Sequence, residues 1–314
     1  MATSGSVDFT RTRDQIIRGA LRLCEAIAAG ETPSSEETVE ASEALNLMAK
    51  AWQADGIHLW AQDEGVLFLE KGTAKYSLGP SGDEASTAYV TTTTTADIAA
   101  SGTSLALTSI TGISASDNIG IVQDDGTFHW DTVSGTPSSL TVTLTTGMTS
   151  AAASGNRIFT FTSLIMRPIR ILDARLKVNN GNEIPFVDML TRDEYFDLPN
   201  KTNQGKPVQA YYDPQLTNGE FHIWNAADDI NDVVLFTFMR PIEDFDAAAN
   251  NPDFPQEWEN ALKWNLAVEI APEYGVPMDK RAWLRGMADE KKQTALAFDH
   301  EPESIYFQPE IDHA

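Results

Sequence analysis

Apolar side chains recur at helical spacing from Ile16 through Ile17, Ala20, Leu21, Cys24 and Ile27 to Ala28, and Gly30 ends the pattern. Such a stripe buries one face of a helix, and Asp8 and Thr10 offer capping oxygens ahead of it. After Pro33 the chain restarts. Ser34 and Glu37 have the spacing of a capping box, in which each side chain satisfies the other residue's backbone N–H. Val39, Ala44, Leu45, Leu47, Met48, Ala51 and Trp52 then follow up to Gly56. The two stretches predict an antiparallel pair of helices. Ile57, Leu59 and Trp60 form an apolar plug behind them, and Val66–Leu78 reads as a hairpin.

Beyond Pro80 the pattern changes. Residues 81–163 are rich in Thr, Ser, Gly and Asp, contain no Lys and carry Arg157 as their one Lys/Arg residue. Short β-branched or aromatic runs recur in them, at 105–107, 119–122, 128–133, 140–144 and 157–161. Asp124-Asp125-Gly126 supplies a hairpin turn between two of these runs. Residues 164–245 continue in strands, with turn signals at Asn179-Asn180-Gly181 and Asn218-Gly219. Helical spacing returns at Trp258, Ala261, Leu262, Leu266 and Ile270, and again over 282–297 with Asp279 as its expected cap. Pro302 and Pro309 bar a helix from the last stretch.

The predicted fold is α+β: N- and C-terminal helices form a helical bundle, packed with an antiparallel sheet, and a separate small all-β domain is inserted. Its parts are 1–80, a helical hairpin plus β-hairpin; 81–163, the insertion; 164–298, a sheet followed by helices that packs with 1–80; and 299–314, an extended tail. Trp52, Trp60 and Trp258 are expected in core or interface packing, with Trp52 and Trp60 mostly buried. Ile305, Tyr306 and Phe307 are the tail's candidates for docking on a neighbour.

The chain has 314 residues, enough for two or three folding units. Its net charge of -24 argues against a free-standing nucleic-acid binder, which needs a basic stripe. The single cysteine, Cys24, rules out an internal disulfide and fits a buried small hydrophobe. The N-terminal residues lack a basic region followed by an apolar stretch, so the expectation is synthesis in a cytoplasm without a signal peptide. No apolar run approaches bilayer length, and no membrane partner is expected.

Chemical motifs are scarce. Neither a nucleophile elbow, nor a phosphate-binding Gly-rich loop with Lys, nor a His-Glu-x-x-His pair occurs. His58, His129, His222, His300 and His313 are scattered singly, without a partner at ligand spacing. Asp228, Asp229, Asn231 and Asp232 form an oxygen-rich cluster that suits either Ca²⁺ or a polar turn. No catalytic residue, resident metal or cofactor is assigned.

Several clauses resemble the head-to-tail adaptor proteins of tailed bacteriophages, above all the packaged-DNA stabilisation (tail accessory factor) proteins of short-tailed phages. They are the run from Asn46 through Trp52 to Trp60, Leu67–Leu78, Asp125–Trp130, Gly219–Trp224, Phe254–Trp258, Leu266–Gly275 and Glu303–Pro309. The insertion at 81–163 departs from the smallest family members. The resemblance implies a non-enzymatic virion protein of the tail or neck, made in the host cytoplasm. It further implies a homo-oligomeric ring, usually dodecameric, docked on the portal protein. Such a ring extends the channel for passing double-stranded DNA without reading its sequence, helps to retain packaged DNA, and carries tail or nozzle proteins. Two other classes stay open. One is a carbohydrate- or receptor-binding phage tail protein; the other is a glycan hydrolase, which needs a tuned acid pair.

The tail yields a direct test. Its acids keep it soluble, while Ile305, Tyr306 and Phe307 gain by burial, at about 25 cal/mol per Å². A chain ending at Asp299 is expected to fold normally yet fail to associate stably with portal or neighbouring subunits in sedimentation. Assembly at the level of the full chain would remove the tail from the mechanism.

Overall fold

The computed structural model describes residues 3–56, 59–179 and 181–299. The described chain is mostly β, with seventeen strands in five sheets and five short helices that make up 25% of it. This corrects the expected α+β architecture of a terminal helical bundle packed on a sheet. That expectation weighted the strong helical stripes near the two ends of the chain. The strands are individually short, from two residues at 85–86 to eight at 170–177, so each carries little period-two signal. Together they outweigh the helices.

The helices are α1 (Arg13–Leu23), α2 (Ser35–Asp55), α3 (Arg192–Asp197), α4 (Glu259–Ile270) and α5 (Met278–Leu296). The first nine strands are β1 (Gln62–Phe68), β2 (Lys75–Leu78), β3 (Ala85–Ser86), β4 (Val90–Thr93), β5 (Ser104–Ala106), β6 (Asn118–Val122), β7 (Phe128–Thr132), β8 (Thr141–Thr143) and β9 (Arg157–Phe161). The rest are β10 (Arg170–Lys177), β11 (Glu183–Pro185), β12 (Asp188–Met189), β13 (Gln204–Gly205), β14 (Gln209–Asp213), β15 (Gly219–Trp224), β16 (Ala226–Ala227) and β17 (Val233–Met239). Among the described residues no helix is long and apolar enough to cross a membrane. The chain folds as two compact units, Met1–Ala61 with Ile242–Ala314, and Gln62–Pro241.

In the first unit, α4 packs against α1, α2 and α5. Its core gathers Ile16, Ile17, Leu21, Leu45, Trp52, Trp258, Leu262, Leu266 and Leu284. The cap of α1 is Thr12 rather than Asp8 or Thr10. At α2 the Glu37 N–H donates to Ser34 Oγ at 3.2 Å and the Ser34 N–H to Glu37 Oε2 at 2.8 Å. Helix α5 starts behind Pro277, with no side-chain cap. Polar residues of α2 hold the returning chain: Gln53 Oε1 accepts the Ile242 N–H and Asn46 Oδ1 the Phe245 N–H. The Asn265 amide bonds the Ala261 and Ala288 carbonyls and so ties α4 to α5.

The second unit is a stack of β layers. Its central sheet has the order β11-β10-β17-β1-β3. One face carries Leu67, Leu176, Val234, Phe236 and Phe238 against Tyr76, Leu78, Phe221 and Ile223 of the sheet β12-β14-β15-β2. The other face carries Val66, Phe68 and Val233 against Phe159, Phe161 and Trp130 of the sheet β4-β9-β6-β7. That third sheet is covered in turn by the β5–β8 pair, through Leu105, Ile119, Ile121, Val142 and Ile158. Strands buried on both faces lose the alternation of a half-exposed strand and read as near-continuous apolar runs. Val233–Met239 is such a run. The remaining pair, β13–β16, is parallel and only two residues long.

In the β6–β7 hairpin, Gly126 adopts φ +81° in the predicted Asp-Asp-Gly turn, a conformation glycine takes without strain. Gly120 pairs with Trp130 across the same hairpin, and the indole ring lies where a side chain at 120 would sit. Gly120→Ala should therefore destabilise the protein by about 1–3 kcal/mol through overpacking, read as a lower urea midpoint at unchanged slope. A loss under about 0.5 kcal/mol, the range of surface substitutions, would mean that Trp130 swings aside freely.

Candidate functional site

Burying Ile16, Ile17, Ala20 and Leu21 leaves the arginines of α1 on its outer side, beside Asp14 and Gln15. Arg11, Gln15, Arg18 and Arg22, at spacings of four, three and four, line one side. With Phe9 and Gly19 they bound an open groove of about 470 Å³. Gly19 leaves room for the Lys263 chain, since a β-carbon there would stand 2.9 Å from Lys263 Cδ. Burial, and next to it the Arg11 charge, pull the Lys263 ammonium below the usual lysine range. Among the described residues no carboxylate pairs with Arg11, Arg18, Arg22 or Lys263. Phe9, in the extended segment before α1, is 66% exposed. That segment is anchored by the Arg11 N–H on Glu259 Oε1 and by Gln256 Nε2 on the Val7 carbonyl.

Helix α2 has the opposite character. It buries Ala41, Leu45, Met48 and Trp52 and turns Val39, Glu40, Glu43 and Leu47 to solvent. Val39 is 67% and Leu47 66% exposed, on a helix whose buried face is already apolar. Glu40, Glu43, Ala44, Leu47 and Glu273 line an open depression of about 520 Å³. The local field is negative: the Tyr274 hydroxyl is raised first by burial and then by Glu37, Glu40 and Glu273.

The predicted residues fall as follows. Trp52 and Trp258 are buried in the first unit, their rings 5.6 Å apart, with the Lys292 ammonium 4.8 Å from the Trp52 ring. Trp60 is only partly exposed. It lies within a single 3₁₀ turn, Leu59–Ala61, with its ring 4.9 Å from Phe254 and 6.2 Å from Trp258. Ile57, His58, Ile305, Tyr306, Phe307, His300 and His313 lie outside the described residues. Cys24 is buried, donates to the Ala267 carbonyl and has its thiol pushed up to about 11 by burial.

In the second unit His129 is buried, with Nδ1 3.4 Å from Thr149 Oγ1. His222 stacks on Tyr211 and contacts Tyr195, and burial holds its ring below the usual histidine range. Both are strand residues in a polar or aromatic setting. The acidic cluster 228–232 is a turn: Asp229 Oδ1 accepts from Asn231, both backbone and amide. Asp232 points inward instead, accepting the Asn179 N–H at 2.8 Å with Lys206 Nζ at 3.5 Å. Among the described residues no group of three or more His, Cys, Asp or Glu is arranged to hold a metal ion. The unit also has an open cleft of about 390 Å³, lined in part by Phe128, Ile230, Glu70, Asp125 and Gln204.

No protein-family model matches the chain, and no curated protein matches it.

Val39 and Leu47 belong to the apolar series of the second helix, and nothing in that series marks them as exposed or points to the basic groove. Arg11, Arg18 and Arg22 were visible as a spaced series, but Lys263 joins them only through the packing of α1 on α4.

Asp232 gives a test with a definite sign. Only 2% exposed, it has its carboxyl raised chiefly by burial, so the folded state binds a proton more readily than the unfolded one. Stability from this group is therefore greatest below the unfolded value of 3.8 and falls as pH rises through the higher folded value. Asp232→Asn keeps an acceptor for the Asn179 N–H and removes the buried charge. Relative to the parent it should gain in melting temperature between pH 4 and pH 7. An equal effect at both pH values would show that Lys206 already neutralises the carboxylate.

Proposed function

We propose that this protein is a structural adaptor of a tailed-phage neck, forming a ring below the portal that extends the DNA channel and carries tail or nozzle proteins. The observation that carries the reading is the apolar surface of the helical unit. Val39 and Leu47 stand in solvent on a helix whose other face already fills a core, and Phe9 is exposed in the extended segment before α1. A monomeric protein gains nothing from such side chains, whereas a subunit buries them against its neighbours. The resemblance of the clauses at 46–60 and 67–78 to phage adaptors supplies the assembly in which those neighbours are copies of the same chain. The net charge of -24 suits a conduit, because an acidic wall repels the phosphate backbone and leaves DNA free to slide.

In this role Ile305, Tyr306 and Phe307 dock on portal or neighbour, and a dodecamer is the expected ring. The purified chain should sediment as small species alone and co-sediment with its portal as a ring-sized complex of fixed stoichiometry. A chain that stays monomeric alone and in the presence of its portal removes the adaptor reading.

A further inference from the structure

The groove on α1 and the depression on α2 have complementary character. One presents Arg11, Arg18 and Arg22 beside the exposed Phe9; the other presents Glu40, Glu43 and Glu273 beside the exposed Leu47. The basic side is conspicuous in a chain of net charge -24, because its cations have no carboxylate partner among the described residues. Neighbouring cations left without a counter-charge favour an incoming anionic surface. Both surfaces belong to the same compact unit.

We infer that the basic groove of α1 in one subunit receives the acidic face of α2 from a second copy of this chain. This inference rests on the ring reading and identifies the surfaces that would close it. Each patch bears one sign of charge, so a two-fold contact of either patch with itself would set like charges against each other. Unless two subunits exchange both contacts around a two-fold axis, pairing a basic patch with an acidic one is a head-to-tail contact, the kind that generates rings when the rotation closes. The apolar members do the remaining work: Phe9 and Leu47 lose water when the faces meet, while the charges set register and direction.

Charge reversal tests the pairing in the full chain. Arg18→Glu with Arg22→Glu gives a subunit acidic on both patches; Glu40→Arg with Glu43→Arg gives one basic on both. Under conditions in which the parent assembles, each variant alone should self-associate about tenfold or more weakly, because like charges now meet. Mixed in equal amounts they should assemble again, since every contact in an alternating ring then joins opposite charges. Parent assembly should weaken with rising salt, because exposed charges are screened. The single variants Arg22→Glu and Glu43→Arg, at exposed positions, repeat the test should a double variant fail to fold.

Two results overturn the pairing while leaving the ring reading intact: assembly of the variants at the parent's level, or no recovery on mixing of folded variants; a discrete dimer as the parent's end state overturns the ring reading as well. Capture of a short DNA duplex by the parent, lost in Arg18→Glu/Arg22→Glu while assembly persists, would assign the groove to nucleic acid instead. A parent that never assembles, alone or with portal, removes the ring reading and this interface together.

Discussion

Burial on both faces of the half of the β1–β17 pair that joins Gly65–Phe68 to Val233–Phe236 is the constraint around which the second unit is built. The two strands pair in an unbroken register from Gln62↔Met239 to Phe68↔Val233. Leu67, Val234 and Phe236 face one neighbouring sheet, and Val66, Phe68 and Val233 face another. A strand with one wet face has its register set by which side chains avoid water. In the buried half of this pair both sides are apolar, and shape must decide instead. Gly65 lies opposite Phe236, whose ring together with Ile165 occupies the space a side chain at 65 would need. Gly120 and Trp130 repeat the device one layer away. A one-residue slip would drive an aromatic ring into a β-carbon in both places, so two glycines carry the specificity that hydrophobicity cannot supply.

Aromatic side chains then join the layers. Phe68 lies within 5.1 to 5.8 Å of Tyr89, Trp130, Phe159 and Phe161, drawn from the sheet packed over it. Such contacts add about 0.5–1.5 kcal/mol each beyond the burial of area. They explain how a stretch as polar as 81–163 contributes to a packed interior: its few large rings all point to one face of its sheet. The Thr-rich remainder satisfies itself locally, as in the Thr93–Thr108 and Thr132–Thr145 hydroxyl pairs at 2.8 and 2.9 Å.

The helical unit solves a different problem. Its four helices bury one stripe each against α4 and its neighbours, and what is left outside is segregated by charge. Arginines collect on and just before α1 beside the exposed Phe9, and glutamates on α2 beside the exposed Leu47. Stability alone does not call for this arrangement, since exposed apolar groups contribute little to a monomer and unpaired like charges oppose it. Recognition does, and the proposed ring gives each of these surfaces a partner.

What the sequence by itself determined is local. Helical stripes at 16–28 and 39–52 placed α1 and α2, the Ser34–Glu37 spacing placed a cap, and Asp124-Asp125-Gly126 placed a turn, because each depends on residues within one turn or hairpin of one another. The tertiary structure decided the rest. It made Thr91–Thr93, indistinguishable from low-complexity sequence, part of a strand through pairing with β9. It left Leu47 outside, although it is as apolar as its buried neighbours. It turned a chain marked by helices at both ends into a mostly β protein, and brought Lys263 beside Gly19 to complete the basic groove. The reason is common to all four: periodicity records which side chains avoid water on average, but whether a given face is covered, and by what, depends on partners far away in the chain.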